Sequence, residues 1–303
     1  MGGLAKRGGR YILQNMSRWK IIRGAVVMVM GVVLAARAQP PVGVESWRDA
    51  GAEFDRRVLS PRGEQALRFD PSIRHAETDH FVVHYEQAIF AHKVARMAEF
   101  FYRYISEDLR GPADRLEGRS HLVIFRTPAR WSAFLSANPD LPSWSASLVE
   151  GAMMYLQQTE DTRSGGDRLA HEMTHLVMNR FFAGRPPLWL QEGIAEFYGE
   201  FAWSSFKGIK KSQRAAFRPL PKPYPLEQLL AATAYPPDPA DVSRFYTTSR
   251  YLVGFLRLAH PAEKFPAFVG EIHRETDAQA VLARHYGYAT TADLEKAFLK
   301  FAR

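Results

Sequence analysis

His171-Glu172-Met173-Thr174-His175 is the segment of this 303-residue chain whose residue types and spacing suit metal chemistry. Residues four apart on a helix lie one turn apart on one face, so both imidazoles reach one ion while Glu172 projects beside them. Two neutral imidazoles and one carboxylate, with a fourth position open, suit zinc. The plainer reading of such a segment is an exposed polar helix face. Leu169, Met173 and Leu176 oppose that reading, because they give the helix an apolar side to bury and leave the histidines on the other. A third ligand is required, and Trp189-Leu-Gln-Glu192-Gly-Ile-Ala-Glu196-Phe-Tyr-Gly-Glu200 offers three carboxylates spaced by four. Glu192, set between Leu190 and Ile194 directly after Pro186-Pro187, is the expected ligand. Glu196 is placed to accept the outer N–H of a ligating imidazole, which fixes the ring's tautomer. Glu200 reads as surface. The chain has no cysteine, which excludes a thiolate ligand, a cysteine nucleophile and a disulfide scaffold.

The elements that must carry these residues follow from periodicity. Phe81, Val83 and Tyr85 alternate as a strand, and Phe90 to Ile105 carries a helical stripe that ends before Gly111-Pro112. Leu122 to Phe125 is a short buried strand, and Thr127-Pro128 caps a helix with Trp131, Phe134 and Leu135. Ser147 to Gln157 reads as one further strand. The histidine pair then lies on a helix from about Asp167 to Phe182, and the carboxylates on one from Leu188 to about Phe201. Phe206 to Pro225 is basic and proline-rich, read as a solvated loop rather than a substrate flap. Helices are expected at Leu226–Ala232, Val242–Ala259, Glu263–Glu275 and Thr290–Ala302, the last opened by a Thr290/Asp293 capping box. The fold class expected is α+β: a small mixed β-sheet with flanking helices, then a mostly helical C-terminal part.

Net charge is +8, but its distribution argues against nucleic acid. Residues 1–38 hold seven basic side chains and no acidic one, so the remainder has 33 basic against 32 acidic. Gly24 to Ala36 is an uncharged run too short to span a bilayer comfortably, since a helix needs about 20 apolar residues. With Ala36-Arg-Ala38 behind it, the segment reads as a signal peptide cleaved before Gln39, which implies an exported, periplasmic or secreted protein. The alternative is an uncleaved inner-membrane anchor. The expected organisation is residues 1–38 as leader, 39–78 as a lead-in helix and linker, and 79–303 as one domain. Within that domain the sheet and site helices run to 201, the basic loop covers 202–225, and the helical part covers 226–303.

His171-Glu-Met-Thr-His175 followed by Pro187-Leu-Trp-Leu-Gln-Glu192-Gly-Ile-Ala-Glu196-Phe resembles the gluzincin, or peptidase MA-like, metallopeptidases, whose pattern is HExxH and then W-L-x-E-G-x-A-E/D. The resemblance runs from about His80 to Arg303 and implies a zincin-like fold. It also implies that His171, His175 and Glu192 ligate zinc, that Glu172 is the general base, and that a peptide or protein substrate pairs with the 147–157 strand at the sheet edge. The 16 residues between His175 and Glu192 are fewer than in aminopeptidase-like relatives, and no G-x-M-E-N motif is present, so aminopeptidase activity is not implied. Family members often carry a downstream tyrosine; Phe245-Tyr246-Thr-Thr-Ser resembles that segment, which would let Tyr246 hydrogen-bond an oxyanion. A metzincin is excluded, because Met178 and Phe181 stand where that class needs Gly and His. The expected function is zinc-dependent hydrolysis of peptide bonds. Its rivals are a zinc hydrolase with a non-peptide substrate and a non-catalytic envelope assembly module.

Overall fold

Alternation along Phe81–Tyr85 and Ser120–Phe125 divides a β-sheet into two buried faces, and the chain is organised around that division. The computed structural model describes residues 46–303, apart from 69–71, 110–114, 144, 159–161, 211, 218 and 276. The expected leader, and with it the cleavage site before Gln39, lies outside the described residues. Strands β1 (Arg48–Asp49), β2 (Arg74–Glu77), β3 (Phe81–Tyr85), β4 (Ser120–Phe125), β5 (Ser147–Glu150) and β6 (Met153–Gln157) form a mixed sheet in the order β1-β2-β3-β4-β6-β5. The β3–β4 and β4–β6 pairs are parallel and the others antiparallel. With ten α-helices among the described residues, the chain is α+β and mostly helical.

Two expectations are corrected here. Ser147–Gln157 is not one strand but a hairpin, turned at Gly151 with φ +58°, a conformation open to glycine. This makes β5 the sheet edge. The stretch 39–78, expected as a lead-in helix and linker, is helical among its described residues in α1 (Pro61–Arg68), and residues before and after it supply β1 and β2.

On one face, Phe81, Val83, Leu122, Ile124 and Met154 pack against α2 (Ala88–Leu109), α4 (Thr162–Phe181) and α5 (Leu188–Phe206) in the main core. On the other face, Val123, Phe125, Met153 and Tyr155 meet α1 and α3 (Pro128–Ser136). Thr127 caps α3 as expected, accepting from Arg130 N–H at 3.3 Å. The C-terminal part holds α6 (Leu226–Ala231), α7 (Pro239–Leu258), α8 (Lys264–Ile272), α9 (Ala278–Tyr286) and α10 (Thr291–Phe301). Helix α9 was not expected; Asp277 caps it and Gly287, at φ +81°, ends it. Thr290 accepts from Asp293 N–H at 3.2 Å, the first half of the expected capping box. The basic loop is anchored rather than loose. Phe217 is buried against α5 and α7, and Leu220 N–H donates to Ala302 O. No helix among the described residues is long and apolar enough to cross a membrane.

The second face also carries a row of imidazoles from β2, β3 and β4. His75 Nδ1 meets His84 Nδ1 at 2.8 Å, His84 Nε2 meets His121 Nδ1 at 2.8 Å, and Phe54 makes a tilted contact with His75 and edge-on contacts with the other two rings. Each contact needs one protonated and one bare nitrogen, so three neutral rings satisfy it. Burial, and then the neighbouring imidazoles and Arg56, push His84 far below its ordinary value. Burial holds His121 down to about 4, Asp55 and Glu77 opposing and Arg56 and His75 assisting. A base whose folded pKa is depressed makes the unfolded chain bind more protons, so stability is lost as pH falls from about 6.5 toward 4. His121 alone should cost the folded state about 3 kcal/mol at pH 4. Urea unfolding at pH 7.5 and 4 should show that loss in wild type and a clearly smaller one in His121→Asn; equal losses in both would remove His121 as the cause.

Candidate metal centre

Helix α5 contains Gly193 and Gly199, each costing about 1 kcal/mol of helix propensity relative to alanine. Burial of Trp189, Leu190, Ile194, Phe197 and Tyr198, at roughly 1.5–3 kcal/mol per large apolar side chain, outweighs that cost. The glycines serve approach. A Cβ on Gly193 would sit 2.6 Å from Ser249 O of α7, and one on Gly199 would press on Asp167 O and His171 Cβ of α4. Close packing on both sides brings the carboxylates of α5 against the histidines of α4.

His171 Nε2 lies 3.2 Å from His175 Nε2 and 3.5 Å from Glu192 Oε2, and His175 Nε2 lies 3.8 Å from that oxygen. Tetrahedral ligands at zinc–ligand distances near 2.05 Å stand about 3.3 Å apart, so the three atoms are spaced as one ion requires. Among the described residues this is the group of His, Asp and Glu side chains that could hold a metal. Charge supports the fit as well. Glu172, Glu192 and Glu196 pair with no lysine or arginine among the described residues, so a dication would neutralise a site otherwise rich in carboxylates.

Glu196 Oε1 lies 3.2 Å from His171 Nδ1 and accepts its N–H, while His171 Nε2 faces Glu192 Oε2. Burial disfavours charge on His171, but Glu192 and Glu196 overcome it and hold its pKa well above the ordinary value. Burial opposes the Glu192 charge too; the His171 hydrogen bond, His175 and the Tyr235 hydroxyl reverse that and hold the carboxyl down to about 2. Glu192 is 6% exposed and stays an anion. His175, shielded most strongly by burial, is held below its usual value and favours the neutral form a metal needs.

Glu172 stays out of this trio. Its Oε1 accepts from Ser147 Oγ–H at 2.8 Å, which ties the carboxylate to the edge strand β5. Glu200, expected as surface, meets Arg250 in an ion pair. Tyr246 stacks its ring on that of Tyr235, centroids 5.7 Å apart and planes at 13°. Tyr235 O–H donates to Glu192 Oε1 at 2.8 Å, leaving Oε2 for the histidine side. Ser147 as a partner of Glu172, and Tyr235 altogether, were not identified from the sequence. Tyr235 sits in Thr-Ala-Tyr-Pro-Pro, whose composition says loop and nothing of a partner.

Because Tyr235 alone of the two tyrosines has a hydrogen bond to a member of the group that could hold a metal, Tyr235→Phe should weaken metal binding by about 10- to 100-fold, the usual cost of losing a hydrogen bond to a metal ligand. Tyr246→Phe should change it by less. Metal affinity measured against a competing chelator separates them, and a larger effect from Tyr246 would reverse the order.

In comparison with known proteins, the chain matches no protein-family model and no curated sequence.

Proposed function

We propose that the chain is an exported zinc-dependent metallopeptidase of gluzincin type. The observation that carries this reading is the separation of roles at one site: three atoms that could ligate an ion converge within 3.8 Å, while Glu172, on the helix of the two histidines, is outside the trio and hydrogen-bonded to Ser147 on the sheet edge. His171, His175 and Glu192 would hold zinc, which, when bound, polarises the scissile carbonyl and acidifies a water. The protein's own groups do the rest. Glu172 takes the proton from the attacking water and delivers it to the leaving amine, converting an amide nitrogen that cannot depart into an amine that can. Ser147 keeps the carboxylate aimed at the cleft. Glu196 holds His171 in the tautomer that presents Nε2, and Tyr235 with Tyr246 behind it orients Glu192. The edge strand β5 has one side without a strand partner among the described residues, where an extended peptide can add itself by main-chain hydrogen bonds.

The test is elemental analysis of the purified protein, with about one zinc per chain expected, together with cleavage of an unbiased peptide library read by mass spectrometry. Zinc bound, fold intact and no peptide cut would favour a non-peptide substrate or an assembly module. Export is tested on protein from its native host, where an N-terminus at Gln39 is expected and an intact Met1–Gln39 segment would favour the anchor.

A further inference from the structure

A cavity of about 210 Å³ opens beside the metal group and shares Glu172 and His175 with it. Cavities that enclose whole drug-sized ligands run about 300–1,000 Å³, so this one is on the scale of a single residue of a longer substrate. Its remaining wall includes Asn179, Arg185, Gln191 and His273. Arg185 is clamped on both sides. Before it, Gly184 has φ +87° and lies so close to His273 O that a Cβ would sit 2.0 Å away, so no other residue fits. After it, Pro186 O accepts from Gln191 Nε2–H at 2.7 Å. The backbone is therefore fixed while the Arg185 side chain is exposed, and the guanidinium pairs with no carboxylate among the described residues. A second arginine, Arg115, is exposed and lies within electrostatic reach of His273. His273 donates Nδ1–H to Val269 O at 2.6 Å, and its buried Nε2 has no partner among the described residues, so it is left to accept an N–H of an occupant.

We infer that this cavity binds a carboxylate on the substrate residue that supplies the leaving amine, and that Arg185 selects it. The inference rests on Glu172 as the proton carrier: the leaving amine collects its proton there, so the residue bearing that amine lies on the Glu172 side, where the cavity opens. Asn179, Gln191 and His273 are neutral walls and Glu172 is the anion shared with the metal group, so Arg185 is the one cation of the lining and the group that can attract a carboxylate. The carboxylate is either an Asp or Glu side chain within a chain or the free carboxyl at a chain end, and Arg185 pairs with both in the same way.

The experiment presents zinc-loaded wild type, Arg185→Gln and Arg185→Glu with a peptide library in free-acid and C-terminally amidated forms. Wild type should favour a carboxylate immediately after the cut by roughly 10- to 100-fold, the range of a charge-assisted hydrogen bond. Arg185→Gln should lose the preference and Arg185→Glu should turn it toward Lys and Arg. A preference that survives amidation assigns the pocket to an acidic side chain, and one that vanishes assigns it to the chain end. Cleavage without any such preference, or a preference indifferent to Arg185→Glu, overturns the inference and leaves the peptidase reading standing. If no peptide is cut, the same peptides serve as ligands. Calorimetry on wild type and Arg185→Gln then reads the selectivity directly, and equal affinity for the Asp and Lys peptides overturns it independently of catalysis.

Discussion

Glu172→Gln is expected to lower peptide hydrolysis by about 10⁴-fold or more while zinc content and fold survive. Loss of a general base alone costs about 10²- to 10⁴-fold. Here the same carboxylate also receives the Ser147 hydrogen bond that sets its direction toward the cleft, so proton transfer and orientation are lost together. A 10⁴-fold loss corresponds to about 5.5 kcal/mol of barrier. Stability should change little. Gln has the size and helix propensity of Glu, its carbonyl oxygen still accepts from Ser147, and Glu172 is no part of the three-atom metal group. The measurement is kcat and KM on a peptide taken from the library, with zinc analysis and circular dichroism on the same preparation. An unchanged kcat would take Glu172 out of the mechanism. A variant that lost zinc as well would place Glu172 among the ligands, contrary to its direction toward β5.

The parts of this site that were legible in the sequence are those encoded by spacing on a single element. His171, Glu172 and His175 fall within one helical turn, and Glu192 and Glu196 within another, so a period of 3.6 residues sufficed to place each set on a face. The short Arg185-Pro-Pro187 connection put the two helices side by side. Ser147 and Tyr235 had no such signal. They reach Glu172 and Glu192 across 25 and 43 residues of sequence, from a strand and a loop that only the tertiary fold brings to the site. The sheet shows the same division. Strands β3 and β4 announced themselves by apolar alternation, whereas β1 and β2 read Arg-Asp and Arg-His-Ala-Glu and are strands because β3 offers them a partner, a context effect that propensity does not contain. Nothing in the sequence spacing of His84 and His121 pairs them; register sets them side by side next to Phe54. The 147–157 segment was one apolar run until Gly151 folded it back, and that turn is what places Ser147 at an edge.

Metal retention separates Glu192 from Glu196 and is the second large effect expected. Glu192 contributes Oε2 to the three-atom group, so Glu192→Ala leaves two imidazoles, too few to hold the ion, and zinc should fall from about one equivalent to a small fraction of one. Glu196 touches only the far nitrogen of His171. Glu196→Ala should therefore keep its zinc at saturating metal and bind it about 10- to 100-fold more weakly. Thermal unfolding provides a reading independent of activity. Zinc present at about 1,000 times its Kd stabilises the folded state by about 4 kcal/mol. For a domain of this size about 1 kcal/mol shifts Tm by about 2–4 °C. Adding zinc to chelator-treated wild type should therefore raise Tm by roughly 10 °C. Glu196→Ala should show most of that rise and Glu192→Ala almost none. The metal-free Glu192→Ala protein should fold with reduced stability, because the substitution removes a buried anion that faces His171 and His175 and accepts from Tyr235, so its Tm is read against its own chelator-treated baseline. A full zinc response in Glu192→Ala, with none in Glu196→Ala, would exchange the two roles and put the metal on the other side of His171.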